Sequence, residues 1–108
     1  MASEQLKLQN QLCFPVYAAS RLMIREYQPY LDQLGITYAQ YLVLMVLWET
    51  DSVPVSQITQ RLFLNTNTVT PILKRMEAQG LITRQRAASD ERKVIVSLTP
   101  QGRQLEAA

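Results

Sequence analysis

Apolar residues recur at helical spacing in the first part of the chain. Between Leu6 and Leu31 they share one side of a helical wheel, which predicts a long amphipathic helix. Pro15 is tolerated best in the first turn of a helix, so we expect the continuous helix to start near Cys13. Pro29 is expected to weaken its far end. The apolar positions on that side are Leu6, Cys13, Val16, Tyr17, Ile24, Tyr27 and Leu31.

The middle of the chain predicts three further helices separated by turn residues. Residues 38–48 are apolar on nearly all sides, which is typical of a helix buried in a core. Turn-forming residues then lead into a short helix over about 56–62. Cap-forming residues at 65–68 open another helix over about 66–79, which Gly80 ends.

After Gly80 the apolar spacing shortens to that of strands. Residues 81–86 and 92–98 predict two strands joined by a polar turn, and Thr99 with Pro100 predicts the start of another helix. Two short helices joined by a tight turn and followed by a hairpin are the order of elements in a winged helix-turn-helix. The predicted fold class is therefore mainly α with a small β-hairpin.

The composition of the chain argues against most enzyme chemistry. The chain has 108 residues, no histidine and one cysteine, which removes the commonest general base and the usual zinc ligands. It also lacks the glycine-rich runs that bind nucleotides. We therefore expect one small domain with no metal, no cofactor and no enzymatic activity. The N-terminus lacks the layout of a signal peptide and no apolar run is long enough to span a membrane, so we expect a cytoplasmic protein without a membrane partner.

The net charge of +2 is divided unevenly along the chain. Residues 1–60 carry 3 basic and 5 acidic groups, whereas residues 61–108 carry 8 basic and 4 acidic groups. A basic C-terminal half predicts a site for a polyanion such as DNA.

The outward side of the predicted helix 66–79 carries residue types that suit DNA. One helix fits the major groove, where threonine, asparagine and lysine side chains reach base edges or phosphates. On the hairpin, Arg92 beside Asp90 is the candidate for a minor-groove contact. Taken alone, these residues also fit helix capping, a solvated helix face and a polar hairpin loop. The candidate DNA-binding residues are Thr66, Asn67, Thr68, Thr70, Pro71, Lys74, Arg75, Arg84, Arg86, Asp90 and Arg92.

Three motifs in the second half resemble the MarR family of bacterial transcription regulators. They are Leu73-Lys74-Arg75-Met76-Glu77, Gly80-Leu81-Ile82, and Asp90-Glu91-Arg92 followed by Val96-Ser97-Leu98-Thr99-Pro100-Gln101-Gly102. The resemblance implies a homodimer that binds a pseudo-palindromic operator in double-stranded DNA. It makes 66–79 the recognition helix and Arg92 the wing arginine, positioned by Asp90. Where relatives often carry Asp-Ser/Thr-Gly-Thr, this chain has Asn65-Thr66-Asn67-Thr68, so a side chain replaces a hydrogen at position 67.

With that resemblance the chain divides into three predicted segments. Residues 1–36 are expected to form a helical dimerisation and sensing segment, and residues 37–98 the winged helix-turn-helix. Residues 99–108 are expected to start a C-terminal dimerisation helix. Relatives continue with further helices beyond that point, so the C-terminal dimerisation helices are expected to be truncated here.

Cys13 has two interpretations. A lone cysteine on an apolar helix face is commonly a buried, inert thiol. A helix N-terminus, however, favours the thiolate form, and Tyr17 at i+4 offers a hydroxyl to the sulfur. Tyr27 is fourteen residues further on, roughly 21 Å along a helix, so it can bond that sulfur only from a second subunit packed antiparallel.

The first half is similar to the organic-hydroperoxide-sensing branch of the MarR family. The residues that carry this likeness are Asn10-Gln11-Leu12-Cys13-Phe14, Tyr17, Ser20-Arg21 and the run from Leu34 to Leu44. The likeness implies that an organic hydroperoxide oxidises Cys13 to a sulfenic acid, after which the repressor releases its operator. It also implies that Tyr27 and Tyr38 reach the sulfur from the partner subunit. Disulfide formation within the dimer and capture of a small thiol both stay open as later steps.

Three other functions remain open from the sequence. The chain fits a MarR-type repressor released by a small phenolic ligand, with Cys13 incidental. It also fits a one-cysteine thiol peroxidase, in which case the basic second half has no role. A winged helix that binds protein in place of DNA is the third.

Overall fold

The computed structural model describes residues 13–107, except for the side chains of Glu91 and Arg92. This part of the chain divides into two compact units, one ending at Tyr38 and the other starting at Ala39. We call residues 39–108 the winged region.

The first helix, α1, is described over Cys13–Leu34, and the part of the predicted helix before Cys13 lies outside the described residues. The helix continues through Pro29, so its expected weakening effect does not end the helix there. An interior proline loses its own N–H donor and crowds the carbonyl four residues earlier. The helix ends where Gly35 adopts a φ of 72°, a left-handed conformation that glycine takes without steric cost.

The second helix, α2, spans Tyr38–Glu49 and confirms the prediction of a buried helix. Its one buried polar side chain, Gln40, is satisfied because its Nε2 donates a hydrogen bond of 3.0 Å to Oε1 of Gln79. A buried amide without a partner would be costly. The other buried side chains of α2 are Val43, Leu44, Val46 and Leu47.

Two helices joined by a tight turn follow, as predicted. Helix α3 spans Val55–Leu62 and helix α4 spans Thr66–Ala78. A strand that the sequence analysis missed, β1 (Val53–Pro54), comes directly before α3. Two residues are too few to show an alternating pattern, and proline is typical of an edge strand because it cannot donate to a neighbour.

The hairpin confirms the predicted wing and extends it. Strand β2 spans Ile82–Ala87 and strand β3 spans Asp90–Leu98, in a three-stranded antiparallel sheet with the order β1-β3-β2. The predicted turn was too long, because Asp90 and the backbone of Glu91 belong to β3. An irregularity in the register between Arg86 and Ala87 accommodates this extra length.

The winged region closes on the predicted start of another helix. Helix α5 spans Pro100–Gln104, and a 3-10 helix covers Leu105–Ala107. The Thr99 side chain caps α5 by accepting from the Gly102 N–H at 3.1 Å. A Cβ on Gly102 would lie 2.2 Å from the Leu81 carbonyl oxygen, so only glycine fits. Trp48 Nε1 donates to the Gly102 carbonyl at 3.2 Å, which fastens α5 to α2.

Candidate functional site

The first turn of α4 is exposed, and a side-chain cap holds its backbone. The Asn65 side chain accepts a hydrogen bond of 2.8 Å from the Thr68 backbone N–H, which confirms that this stretch supplies the cap. The next three residues, Thr66, Asn67 and Thr68, are exposed. Capping is therefore done by Asn65, and the three side chains after it remain available to a partner.

The rest of α4 separates an inward stripe from a polar outward side. Val69, Leu73 and Met76 are buried at helical spacing. On the other side Thr70 is half-buried, and Pro71, Lys74 and Arg75 are exposed. The helix thus presents hydroxyl and cationic groups on one surface, the combination expected for contacts to base edges and phosphates.

A groove of about 350 Å³ lies between this surface and the sheet. Thr66 and Thr70 of α4 share it with Lys93 of β3 and with Ser56 from the first turn of α3. Ser56 and Lys93 were not predicted from the sequence, although their positions at a helix start and on the basic hairpin mark them as candidates. The whole lining is Pro54, Val55, Ser56, Thr66, Thr70, Leu73, Arg84, Lys93 and Val94.

The wing residues fall into different environments. Arg84 is engaged in an ion pair with Glu77 of α4, in which its Nη2 lies 3.0 Å from Oε1. Arg86 is exposed and Asp90 is half-buried. The side chain of Arg92 lies outside the described residues, so its minor-groove contact stays a prediction.

The placement of Arg84 follows from the two-residue period of a strand. Ile82 is buried, so Arg84, two residues later, lies on the same side of β2 and points toward α4. Its guanidinium hydrogen bond to Glu77 outweighs the small effect of burial and lowers the pKa of the Glu77 carboxyl. The spacing was visible in the sequence, but the partner was not.

The candidate sensing residues lie along α1. Cys13 is exposed, contrary to the interpretation of a buried thiol, and Tyr17 is exposed on the next turn. The Tyr17 hydroxyl oxygen accepts a hydrogen bond of 3.1 Å from Arg21, whose guanidinium carbon also lies 5.7 Å from the centre of the Tyr17 ring. A hydroxyl that accepts can still donate its own proton.

Tyr27 and Tyr38 lie next to each other. Their ring centroids are 5.9 Å apart with the planes tilted by 54°, a favourable aromatic arrangement. Since α1 is continuous from Cys13 to Leu34, the fourteen-residue separation of Cys13 and Tyr27 corresponds to roughly 21 Å along the helix. Within one chain, the structure brings the two tyrosines together but keeps both away from the sulfur.

Two features are absent from residues 13–107. No group of three or more acidic, histidine or cysteine side chains is placed to hold a metal ion. None of the helices described is both long enough and apolar enough to cross a membrane.

The chain is similar to known transcription regulators, both in sequence and in fold. The profile of a family described as "Transcriptional regulator SarA/Rot" matches residues 25–108. The organic hydroperoxide resistance transcriptional regulator of Bacillus subtilis is 54% identical over 99 residues, which are 92% of this chain and 67% of that protein. The chain therefore spans about two thirds of that relative.

Solved structures of AbfR, a protein of Staphylococcus epidermidis, share the fold. The reduced protein bound to DNA has a TM-score of 0.88 and 47% identity, covering 97% of this chain and 78% of that one. Overoxidised AbfR bound to DNA has the same TM-score and identity, covering 99% and 79%.

Proposed function

Because the chain belongs to the MarR family of transcription regulators, in its organic hydroperoxide resistance branch, we propose that it is a cytoplasmic repressor that releases its operator when a hydroperoxide oxidises Cys13. The observation that carries the DNA-binding part is the exposed first turn of α4 beside a groove that also contains Lys93. Hydroxyl and ammonium groups at one helix N-terminus suit the phosphates and base edges of a duplex.

A second copy of the chain is the proposed partner of α1. This helix exposes large apolar side chains, among them Phe14, Leu22 and Met23, and a homodimer would cover them. An antiparallel second copy would also bring the Tyr27–Tyr38 pair of one subunit to Cys13 of the other, which the length of α1 prevents within a single chain. Two recognition helices at a fixed separation then require a pseudo-palindromic operator.

The proposed chemistry needs only the sulfur and the hydroperoxide. The Cys13 thiolate attacks the terminal oxygen of the hydroperoxide, an S–O bond forms and the O–O bond breaks. The sulfur is oxidised by two electrons to a sulfenic acid. The peroxide is reduced to an alcohol, which takes its proton from water. The chain acts as a sensor and not as an enzyme, because nothing in this step regenerates the thiol.

The charge of the sulfur group is the proposed trigger. AbfR is bound to DNA both when reduced and when overoxidised. A thiolate and an overoxidised sulfinate or sulfonate are both negative, whereas a protonated sulfenic acid or a disulfide carries no charge. We assign release in this chain to the loss of negative charge at Cys13, which weakens the hydrogen bonds donated by the tyrosines.

The first test is Cys13→Ser. A duplex is selected from a random pool by the reduced wild-type chain, and its binding is titrated with cumene hydroperoxide. The wild type should release the duplex at a stoichiometric dose, and Cys13→Ser should stay bound, because the chain has one cysteine and so no other thiol. Release by Cys13→Ser would refute the sensor.

The same titration separates the rival functions. A phenolic inducer that releases both proteins would favour the small-ligand repressor, and sustained peroxide turnover with a thiol reductant would favour the peroxidase. A large excess of hydroperoxide should restore binding as the sulfur regains charge. Continued release at that dose would contradict the charge trigger but would leave the sensor role of Cys13 intact.

A further inference from the structure

The ion pair between Glu77 and Arg84 joins the two elements that a duplex would contact together. Glu77 lies in the last turn of α4 and Arg84 in the middle of β2. The Arg84 Nε and Nη2 both donate to Oε1 of Glu77, at 3.3 and 3.0 Å. Two donors on one oxygen fix the guanidinium more firmly than a single contact.

The environment of Arg84 is that of a packed side chain. Its side chain is 23% exposed, against 41% for Glu77. It forms part of the wall of the groove whose rim carries Thr66, Thr70 and Lys93. The Arg84 side chain therefore reaches from β2 of the wing to α4, where it meets Glu77.

Glu77 would otherwise oppose DNA binding. A carboxylate near a duplex repels the phosphates. The presence of an acid on a basic surface therefore requires a structural reason. Its pairing with Arg84 supplies one, since the pair neutralises the acid while holding the sheet to α4.

We infer that Arg84 is a positioning residue that holds the wing against the recognition helix through Glu77, and that it is not itself a contact to DNA. This inference rests on the proposed DNA-binding function. It differs from the prediction made from the sequence, which placed Arg84 among the DNA-binding residues.

The decisive variant is Glu77→Gln, because the two explanations predict opposite signs. If Arg84 binds phosphate, removing the nearby acid frees the arginine and should strengthen binding to the selected duplex. If the pair is a brace, binding should weaken about three- to tenfold, since each subunit loses one partly buried ion pair. Glu49→Gln is the matched control, because it removes the same charge from the ion pair of Glu49 with Arg61 on α3, away from the wing.

Salt dependence and charge exchange give two independent readouts. A lost phosphate contact lowers the slope of log affinity against log salt by about 0.9 per site, whereas loss of a brace in Arg84→Ala should leave the slope unchanged. The double variant Glu77→Arg with Arg84→Glu keeps the pair reversed and should recover most of the affinity lost in either single variant. Recovery fails if Arg84 touches phosphate, because a glutamate then stands at that phosphate.

Amide hydrogen exchange without DNA tests the brace itself. In Glu77→Gln the β2 and β3 amides should exchange faster than in Glu49→Gln, and equal rates would overturn the inference. If the wild type selects no duplex, the proposed function fails, but the exchange rates still decide whether the pair holds the wing.

Discussion

Helix α1 and the winged region dispose their large apolar side chains in opposite ways. Among the described residues eight such side chains are exposed, and seven of them lie on α1. The winged region buries residues of the same kind, for example Leu44 and Leu73. Burial of apolar area is the main source of folding free energy, so the winged region should carry its own stability. The apolar surface of α1 is the surface that we propose a second copy covers.

The largest expected effect is the difference in stability loss between a buried leucine of the winged region and an exposed leucine of α1. Leu44→Ala should lower the free energy of unfolding by about 2–5 kcal/mol, because it opens a cavity in a packed site. Leu22→Ala, at a position 58% exposed on α1, should change it by less than about 0.5 kcal/mol at a dilution that favours monomer. Urea unfolding measures both. Sedimentation at higher concentration should show that Leu22→Ala weakens self-association, and equal losses of stability in the two variants would break the comparison.

A smaller effect concerns how the winged region holds its C-terminal end. Asp51 accepts hydrogen bonds from the Leu98 and Ser52 N–H groups and pairs with Arg103. Partial burial opposes ionisation of Asp51, but these hydrogen bonds outweigh it and lower its pKa. Asp51→Ala should cost about 1–3 kcal/mol at pH 7, chiefly because the Leu98 N–H loses its acceptor.

The sign of the pH dependence follows from that lowered pKa. The ionised carboxylate stabilises the fold above its unfolded pKa, and this contribution is lost as the pH falls through the folded value. The difference between wild type and Asp51→Ala should therefore shrink below about pH 4. Thermal unfolding at several pH values measures it, with Glu106→Ala, at an exposed acid, as the control. A difference that stays constant into acid would show that the carboxylate charge contributes nothing.

The smallest expected effect concerns Phe63, the one exposed large apolar side chain among the described residues that lies outside α1. Phe63, in the turn between α3 and α4, is 94% exposed and has a φ of 57°. A left-handed conformation costs a non-glycine residue about 1–2 kcal/mol, of which glycine recovers only part because its unfolded chain is freer. Phe63→Gly should thus raise the free energy of unfolding by up to about 1 kcal/mol. A loss of stability would show that the phenyl ring is packed, and weaker DNA binding without such a loss would make Phe63 a contact to DNA.

Much of the fold was predictable because it depends on local patterns. The position of α4 followed from the cap-forming residues at 65–68 and from Gly80, all within sixteen residues. Strand β1 was not predictable, because its identity comes from pairing Val53 with Val96. The candidate DNA surface of α4 was likewise found from helical spacing, whereas Ser56 and Lys93 joined it only through the groove.

The sequence by itself determined which residues of α2 and α4 face inward, roughly where these helices start and end, and that one cysteine precedes a basic helix-turn-helix. Periodicity and capping depend on residues close together in the chain, so the amino-acid order alone specifies them. The partner of each side chain was decided by the tertiary structure alone. Arg84 looks like a wing cation until packing sets it against Glu77, and Asp51 looks like a turn residue until β3 brings the Leu98 N–H to it. The spacing of residues predicts on which side of a helix or strand a side chain lies, but only the packed chain determines which residue it contacts.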